Sequence, residues 1–411
     1  MATMGIGRMA GWRQWAAGAA AGLVIVVTGL ACRENRGPDA SAGQPRGEEA
    51  AVFTKVEYPR TVMFWAPGRD EWSPEAQARH DLIVVSPGQL GMRPDGEPSG
   101  LADGFAAESV QAGKERLAEI RRLNPDAVVL LAIGFYEYGD DSLPEDHPWW
   151  LRIDGKREQF WPGTHRMDWY NAEYRAHVVR ESAAAMAVGA DGLFYDNLRE
   201  EPEPWIAFLG AVREAVGDDC LLMANTGYAI SEYDFAAPYL NGFMYESGWS
   251  HRRTEWDECI EAMRHTATLL RAPRISAIER FEEIRSHAGW PTDGKHGQRP
   301  PLDPPARRWS MCYALIIGNY HYLFSDSTSH QHDWYPEYDV KIGLPVGEGE
   351  RVSSHVWRRQ YEKALVVVNL PGATEPYQAE VEREARDSFT GETGTRFTIP
   401  AGDGRVLVWE G

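Results

Sequence analysis

Eight short runs rich in β-branched and aromatic residues recur between residues 54 and 343, at 62–66, 82–86, 127–134, 192–197, 221–225, 242–246, 275–279 and 320–325. Between them lie stretches with helical patterning. Antiparallel strands can be joined by tight turns, whereas parallel strands need a crossover of about a dozen residues or more, usually a helix. Strand and helix in alternation therefore predict a parallel sheet, and eight repeats of the unit predict closure into a (β/α)8 barrel of the TIM type over residues 54–343. The intervening segments carry helix punctuation. Residues 108–123 stop before Pro125, residues 171–188 have Asn171 placed to cap and Gly189 placed to terminate, and residues 204–216 end at Gly217.

Past residue 343 the pattern changes to strands alone, at 356–361, 364–369, 396–399 and 405–409, separated by Pro and Gly turns. Residues 344–411 are expected to form a small antiparallel β domain. Its position after a barrel resembles the C-terminal β-sandwich of many glycoside hydrolases.

The N-terminus has a different character. Arg8 and Arg13 precede an apolar run at 16–31 that ends at Cys32, with no acid before it. Its 16 residues fall short of the roughly 20 needed to cross a bilayer as a helix, so residues 1–32 read as an export signal. Gly29-Leu30-Ala31-Cys32 resembles the lipobox of bacterial lipoproteins, with leucine one place late. The resemblance implies lipidation of Cys32 and anchoring to a bacterial membrane at the cell envelope; an uncleaved anchor and plain secretion are the alternatives. Residues 33–53, mostly Gly, Pro, Ser, Ala and charge, are expected to form a flexible tether. The other three cysteines, Cys220, Cys259 and Cys312, lack the spacing of a zinc site or a disulfide framework and read as structural.

Charge excludes one class of partner. With 42 Lys and Arg against 61 Asp and Glu, the net charge is -19, and it becomes -21 once residues 1–31 and their two arginines are removed. Such a surface repels phosphate backbones, so no nucleic-acid partner is expected. No Gly-rich phosphate loop or Gly-x-Ser-x-Gly elbow occurs. The 16 Trp, 17 Tyr and 13 Phe exceed what a core needs when many fall in loops, and they suggest a ligand that stacks.

In a barrel of this kind chemistry sits at the C-terminal ends of the strands. The carboxylates expected there are Glu137, Asp196, Glu246, Glu279 and Asp326. In the segment from Gly189 to Leu198, side-chain alternation separates the two aspartates: Asp196 faces the rim, and Asp191, five positions earlier, is a structural acid at the strand's start. Tyr195-Asp196-Asn197 resembles the Tyr-Asp-Asn of α-galactosidase-type barrels, in which the aspartate is the nucleophile; Phe194 stands where a lysine is expected and Leu198 where a cysteine is. The Asp-Gly start with an aspartate five places on is also similar to α-amylase barrels, again with Phe194 at their arginine position. The chitinase pattern would need an acid at 198, which is leucine.

Over residues 58–411 the chain resembles hypothetical glycosyl hydrolase families related to α-galactosidases and polygalactosaminidase-type barrels. The resemblance rests on 191–197, on Tyr245-Glu246 and on the 358–369 segment. It implies a glycoside hydrolase with two carboxylates, Asp196 as nucleophile or base and Glu246 as general acid/base, Glu279 being the reserve acid. Trp65, Tyr136, Glu137, Asn197, Asn225, Tyr228, Trp249 and Glu279 are the expected sugar contacts, supplying stacking faces and polar hydrogen bonds. Trp149, Trp150 and Trp161 would either add stacking faces or staple the long third loop. The His330-Gln331-His332-Asp333 run could share a metal ion, but no third ligand is identifiable, and neither metal nor other cofactor is expected. The partner is then a carbohydrate, with oligomeric state left open. A non-catalytic glycan-binding lipoprotein on the same barrel is the alternative.

Overall fold

The computed structural model describes residues 57–65, 73–198, 201–227, 229–246, 256–281, 304–318, 320–325, 330, 332 and 334–410. Cys32, Tyr228, Trp249 and Asp326 lie outside them, as do the tether and most of the loop after the seventh barrel strand.

Eight strands form one parallel sheet in chain order: β1 (Val62–Met63), β2 (Leu82–Val85), β3 (Val128–Ile133), β8 (Gly192–Tyr195), β9 (Leu221–Asn225), β10 (Gly242–Glu246), β11 (Ala277–Phe281) and β12 (His321–Ser325). A parallel bridge from Thr61 to Tyr322 and a hydrogen bond from Tyr322 N to Arg60 O (2.9 Å) bring the last strand to the first. This is the expected (β/α)8 barrel. Alternation sorts the side chains. Val62, Phe64, Leu82, Val84, Val128, Leu130, Phe194, Leu221, Met223, Met244, Ala277 and Leu323 fill the interior as one buried cluster. Their neighbours, such as Val85, Leu131, Tyr195, Tyr245 and Phe324, pack outward in the larger core. Burying each such side chain contributes about 1.5–3 kcal/mol.

The crossover helices are α1 (Pro74–Gln77), α2 (Ala107–Leu123), α3 (Ala172–Ala185), α4 (Pro202–Val216), α5 (Trp256–Leu269) and α6 (Pro304–Ile317). In α3 the Asn171 side chain accepts from the backbone of Glu173 and Tyr174, satisfying orphan donors. The helix tightens into a 3-10 turn over Met186–Val188 and ends at Gly189, whose φ of 88° is the left-handed conformation that glycine adopts without strain. The third loop folds into two small ribbons, β4 (Glu137–Gly139) with β7 (Thr164–Arg166) and β5 (Arg152–Ile153) with β6 (Lys156–Arg157).

The C-terminal strands are β13 (Glu350–Arg351), β14 (Val356–Gln360), β15 (Ala364–Asn369), β16 (Tyr377–Asp387), β17 (Thr393–Ile399) and β18 (Asp403–Trp409), in the order β13-β14-β15-β18-β16-β17, paired antiparallel. One face is continuous with the barrel core. Trp357, Tyr361, Val366, Val368 and Val406 share a cluster with Cys312, Leu315 and Ile316 of α6. Arg308 adds a bidentate pair to Asp403 at 2.8 and 2.7 Å. The other face is closed by the β16–β17 hairpin, with Ala379, Phe397 and Ile399 against Val356, Leu365, Val367 and Leu407. The sequence pattern had missed β13 and the 11-residue β16. The latter carries Glu380, Glu382, Arg383 and Glu384 mostly in solvent, shifts register between Glu380 and Ala385, and lies between β18 and the edge strand β17.

Candidate functional site

The side-chain alternation that fills the barrel interior continues upward into polar residues. Two positions beyond Phe194, Met223, Met244, Ala277 and Leu323 come Asp196, Asn225, Glu246, Glu279 and Ser325. One ring of the barrel's C-terminal end thus carries three carboxyls, an amide and a hydroxyl. Backbone register ties the ring together, since Glu246 pairs with Glu279 and Met244 with Asn225 across adjacent strands.

Asp196 leaves β8 at a sharp bend. Asn197 has a φ of 60°, a left-handed conformation that asparagine tolerates better than most residues, and Leu198 N donates to Asn225 O at 2.8 Å. The Asp196 Oδ1 accepts from Asn197 N (2.9 Å) and from Asn225 Nδ2 (2.7 Å), and Oδ2 accepts from Asn197 Nδ2 (2.9 Å). The same Asn197 amide reaches Glu137 Oε2 at 3.3 Å, which draws the first residue of β4 to the site.

Asn225 Nδ2 also donates to Glu246 Oε1 at 2.9 Å. Two bonds of 2.7 and 2.9 Å from a single nitrogen hold the two carboxylate oxygens no more than 5.6 Å apart. Burial pushes the Glu246 carboxyl up to about 7, the negative charges of Asp196 and Glu279 add to this, and His330 and the Asn225 hydrogen bond oppose it.

Glu279 is placed differently from the other acids. It is fully buried; Oε1 accepts from Ser325 Oγ at 2.6 Å, and His330 Nδ1 lies 2.9 and 2.7 Å from its two oxygens. Burial alone would pull the His330 imidazole down. The Glu279 carboxylate more than reverses this, with Glu246 and Asp196 helping, and holds it up at about 9. His330 has a φ of 61° and its ring meets those of Trp65 (4.9 Å between centroids) and Phe64 (5.8 Å). Trp65 in turn lies 5.1 Å from Phe194 and is partly exposed.

The remaining predicted residues divide. Tyr136 is buried, with Phe160 against its ring at 5.1 Å and the Arg166 guanidinium over it at 4.8 Å. Trp149 and Trp150 are buried in the third loop, Trp149 against Tyr174 and His177 and Trp150 donating to Pro144 O, so both staple that loop; Trp161 is 47% exposed. Asp191 is the structural acid that parity predicts, accepting from Val129 N at 2.8 Å and Arg121 at 2.9 Å. His330 and His332 take separate partners, the second facing His80 with their Nε2 atoms 3.1 Å apart. Among the described residues no group of three or more His, Cys, Asp or Glu side chains is placed to hold a metal ion. Ser325 and the pairing of His330 with Glu279 were not foreseen; alternation from Leu323 was signal enough for Ser325.

The barrel with acids at its strand ends is an architecture found among glycoside hydrolases. The Eubacterium rectale protein Amy13B is similar in fold at a TM-score of 0.53 and 8% identity, covering 90% of this chain and 100% of its own. A GH27 β-L-arabinopyranosidase from Geobacillus stearothermophilus is similar at a TM-score of 0.52 and 12% identity, covering 88% of this chain and 98% of its own. The chain belongs to the hypothetical glycosyl hydrolase family 15, which matches residues 134–365. No curated protein matches it.

Proposed function

We propose that the protein hydrolyses glycosidic bonds with retention of anomeric configuration, using Asp196 as nucleophile and Glu246 as general acid/base. The observation that carries this reading is the Asn225 amide shared between the two carboxyls, which caps the separation of the bonded oxygens at 5.6 Å. Retaining enzymes hold their carboxyls about 5–5.5 Å apart, and inverting enzymes leave about 6.5–9.5 Å for a water. Glu246, at about 7, keeps its proton near neutral pH, which suits a donor.

In the first step an Asp196 oxygen bonds to the anomeric carbon as the bond to the leaving oxygen breaks, and the Glu246 proton passes to that oxygen. In the second, the Glu246 carboxylate takes a proton from water whose oxygen attacks the anomeric carbon. The ester bond to Asp196 breaks, and both carboxyls return to their starting states. The substrate is a carbohydrate. Galacto-configured hexopyranosides and pentopyranosides come first, by analogy with α-galactosidase-type barrels and the arabinopyranosidase of similar fold.

The test is a panel of 4-nitrophenyl α- and β-glycosides offered to wild type, Asp196→Asn and Glu246→Gln. Wild type should release nitrophenol from at least one glycoside, and both variants should lose at least about a hundredfold in rate. A wild type that binds glycans without hydrolysing any would favour the glycan-binding alternative. We further propose that the chain is exported and held at the cell envelope by lipid on Cys32, which the basic start, short apolar run and lipobox-like end support.

A further inference from the structure

Among the described residues three non-glycine positions have positive φ, Asp154, Asn197 and His330, and two of these flank the Asp196–Glu246 pair. Asp154 sits in the turn between β5 and β6, where such a conformation is ordinary; the other two end or follow barrel strands at the candidate site. A backbone held in this region costs about 1 kcal/mol or more and persists where surrounding contacts over-determine it. Those contacts are visible for His330. Its Nδ1 is committed to the fully buried Glu279, Ser325 fixes the same carboxylate, and the aromatic rings of Trp65 and Phe64 meet the imidazole. The second nitrogen, Nε2, has no hydrogen-bond partner among the described residues. The ring is within electrostatic range of Glu246 and Asp196 and beside the partly exposed Trp65.

Burying a Glu–His pair is expensive unless the geometry and extra hydrogen bonds repay it, and a hydrophobic pair of similar volume would serve packing alone. Resting on the reading of the site given above, we propose that His330 is a further substrate-binding residue, whose Nε2–H donates to a hydroxyl of a neutral sugar stacked near Trp65. Glu279 is its positioning partner, not a reserve acid. The pair is neutral as a unit, and among the described residues the carboxylate of Asp196 lies within its electrostatic range, so the site favours uncharged glycosyl groups over uronosides.

The experiment uses the full-length protein and the 4-nitrophenyl glycoside that wild type hydrolyses fastest, with the matching 4-nitrophenyl uronoside as the charged probe. His330→Leu leaves Glu279 without its partner and could unfold, so the double variant His330→Leu/Glu279→Gln, which keeps an acceptor for Ser325 and removes both charges, is measured beside it. Loss of a hydrogen bond from a charged donor should raise KM about tenfold or more in the double variant, with kcat changed much less and the melting temperature near that of wild type. The uronoside should not be hydrolysed by wild type. An unchanged KM in a folded double variant, or preference of wild type for the uronoside, overturns the proposal. Failure of the catalytic reading looks different, because Glu246→Gln would then keep wild-type turnover whatever His330 does. If no aryl glycoside is hydrolysed, a glycan array replaces the panel. Loss of the wild-type signal in the double variant supports the proposal; an equal signal, or a wild type that binds no glycan, overturns it.

Discussion

The Asn225 amide faces Glu246 and cannot be turned around. Its Nδ2 donates to Glu246 Oε1 at 2.9 Å, while its Oδ1 accepts from Gly227 N at 2.7 Å, and a backbone N–H can only donate. The orientation of the amide follows from the hydrogen bonds themselves. Sequence reasoning had cast Asn225 as a sugar contact; the structure buries it between the two carboxyls.

Asn225→Asp exchanges a donor for an acceptor at nearly constant shape. A further carboxyl would then stand between those of Asp196 and Glu246, and their spacing would be lost. A misplacement of 1 Å costs about a hundredfold in rate, so kcat should fall by that order. The Asn225 hydrogen bond also holds the Glu246 carboxyl down, so its loss should move the basic limb of the pH–rate profile to higher pH. A profile and rate equal to those of wild type would contradict the positioning role.

The Glu246 carboxyl makes a second prediction, about stability. Unfolded, it titrates near 4.5; folded, near 7. Below pH 4.5 both states hold the proton and the difference is fully to the native state's advantage. As pH rises toward 7 the unfolded chain releases its proton first, and native stability falls, by about 1.4 kcal/mol per pH unit and about 3 kcal/mol in all. Glu246→Gln removes this loss. Thermal melts should show the variant no more stable than wild type near pH 4 and more stable at pH 8. Equal behaviour at both pH values would show that Glu246 is not perturbed.

The barrel was legible because its signal is physical and repeated. Each strand buries both faces, so runs such as Leu82–Val85 and Leu221–Asn225 are almost continuously apolar, and Pro and Gly mark their ends. The position of Asp196 was legible from alternation alone. The Glu279–His330 pair was not, because its members are 51 residues apart and meet only when β11 and β12 close together. His330-Gln331-His332 carries a strong local signal for metal, and nothing local reveals that one histidine turns to Glu279 and the other to His80. Strand β16 was hidden because its exposed positions are charged, which is how an edge hairpin reads when composition is set by solvent and not by pairing.

The third-loop tryptophans separate into two kinds, and unfolding by urea should tell them apart. Trp149→Ala empties a packed site between Tyr174 and His177 and should cost about 3–5 kcal/mol. Trp161 is 47% exposed, and Trp161→Ala should stay within about 0.5 kcal/mol. Comparable losses in both would mean that Trp161 also staples the loop.

Lipidation of Cys32 is tested by metabolic labelling with an alkyne fatty acid in a bacterial host. Wild type should incorporate label and sediment with membranes. Cys32→Ala should do neither. Equal labelling of the two, or none in either, would contradict anchoring at this residue.

The central claim, covalent catalysis by Asp196 with Glu246 as acid/base, is tested most directly by trapping the intermediate. A 2,4-dinitrophenyl glycoside of the sugar that wild type hydrolyses needs little protonation of its leaving group, so Glu246→Gln should complete the first step and stall before the second. Mass spectrometry of the digested protein should find one glycosyl group on the peptide that contains Asp196, absent when Asp196→Asn is added. A glycosyl group on a different peptide, or no adduct together with a product of inverted anomeric configuration, would contradict the assignment.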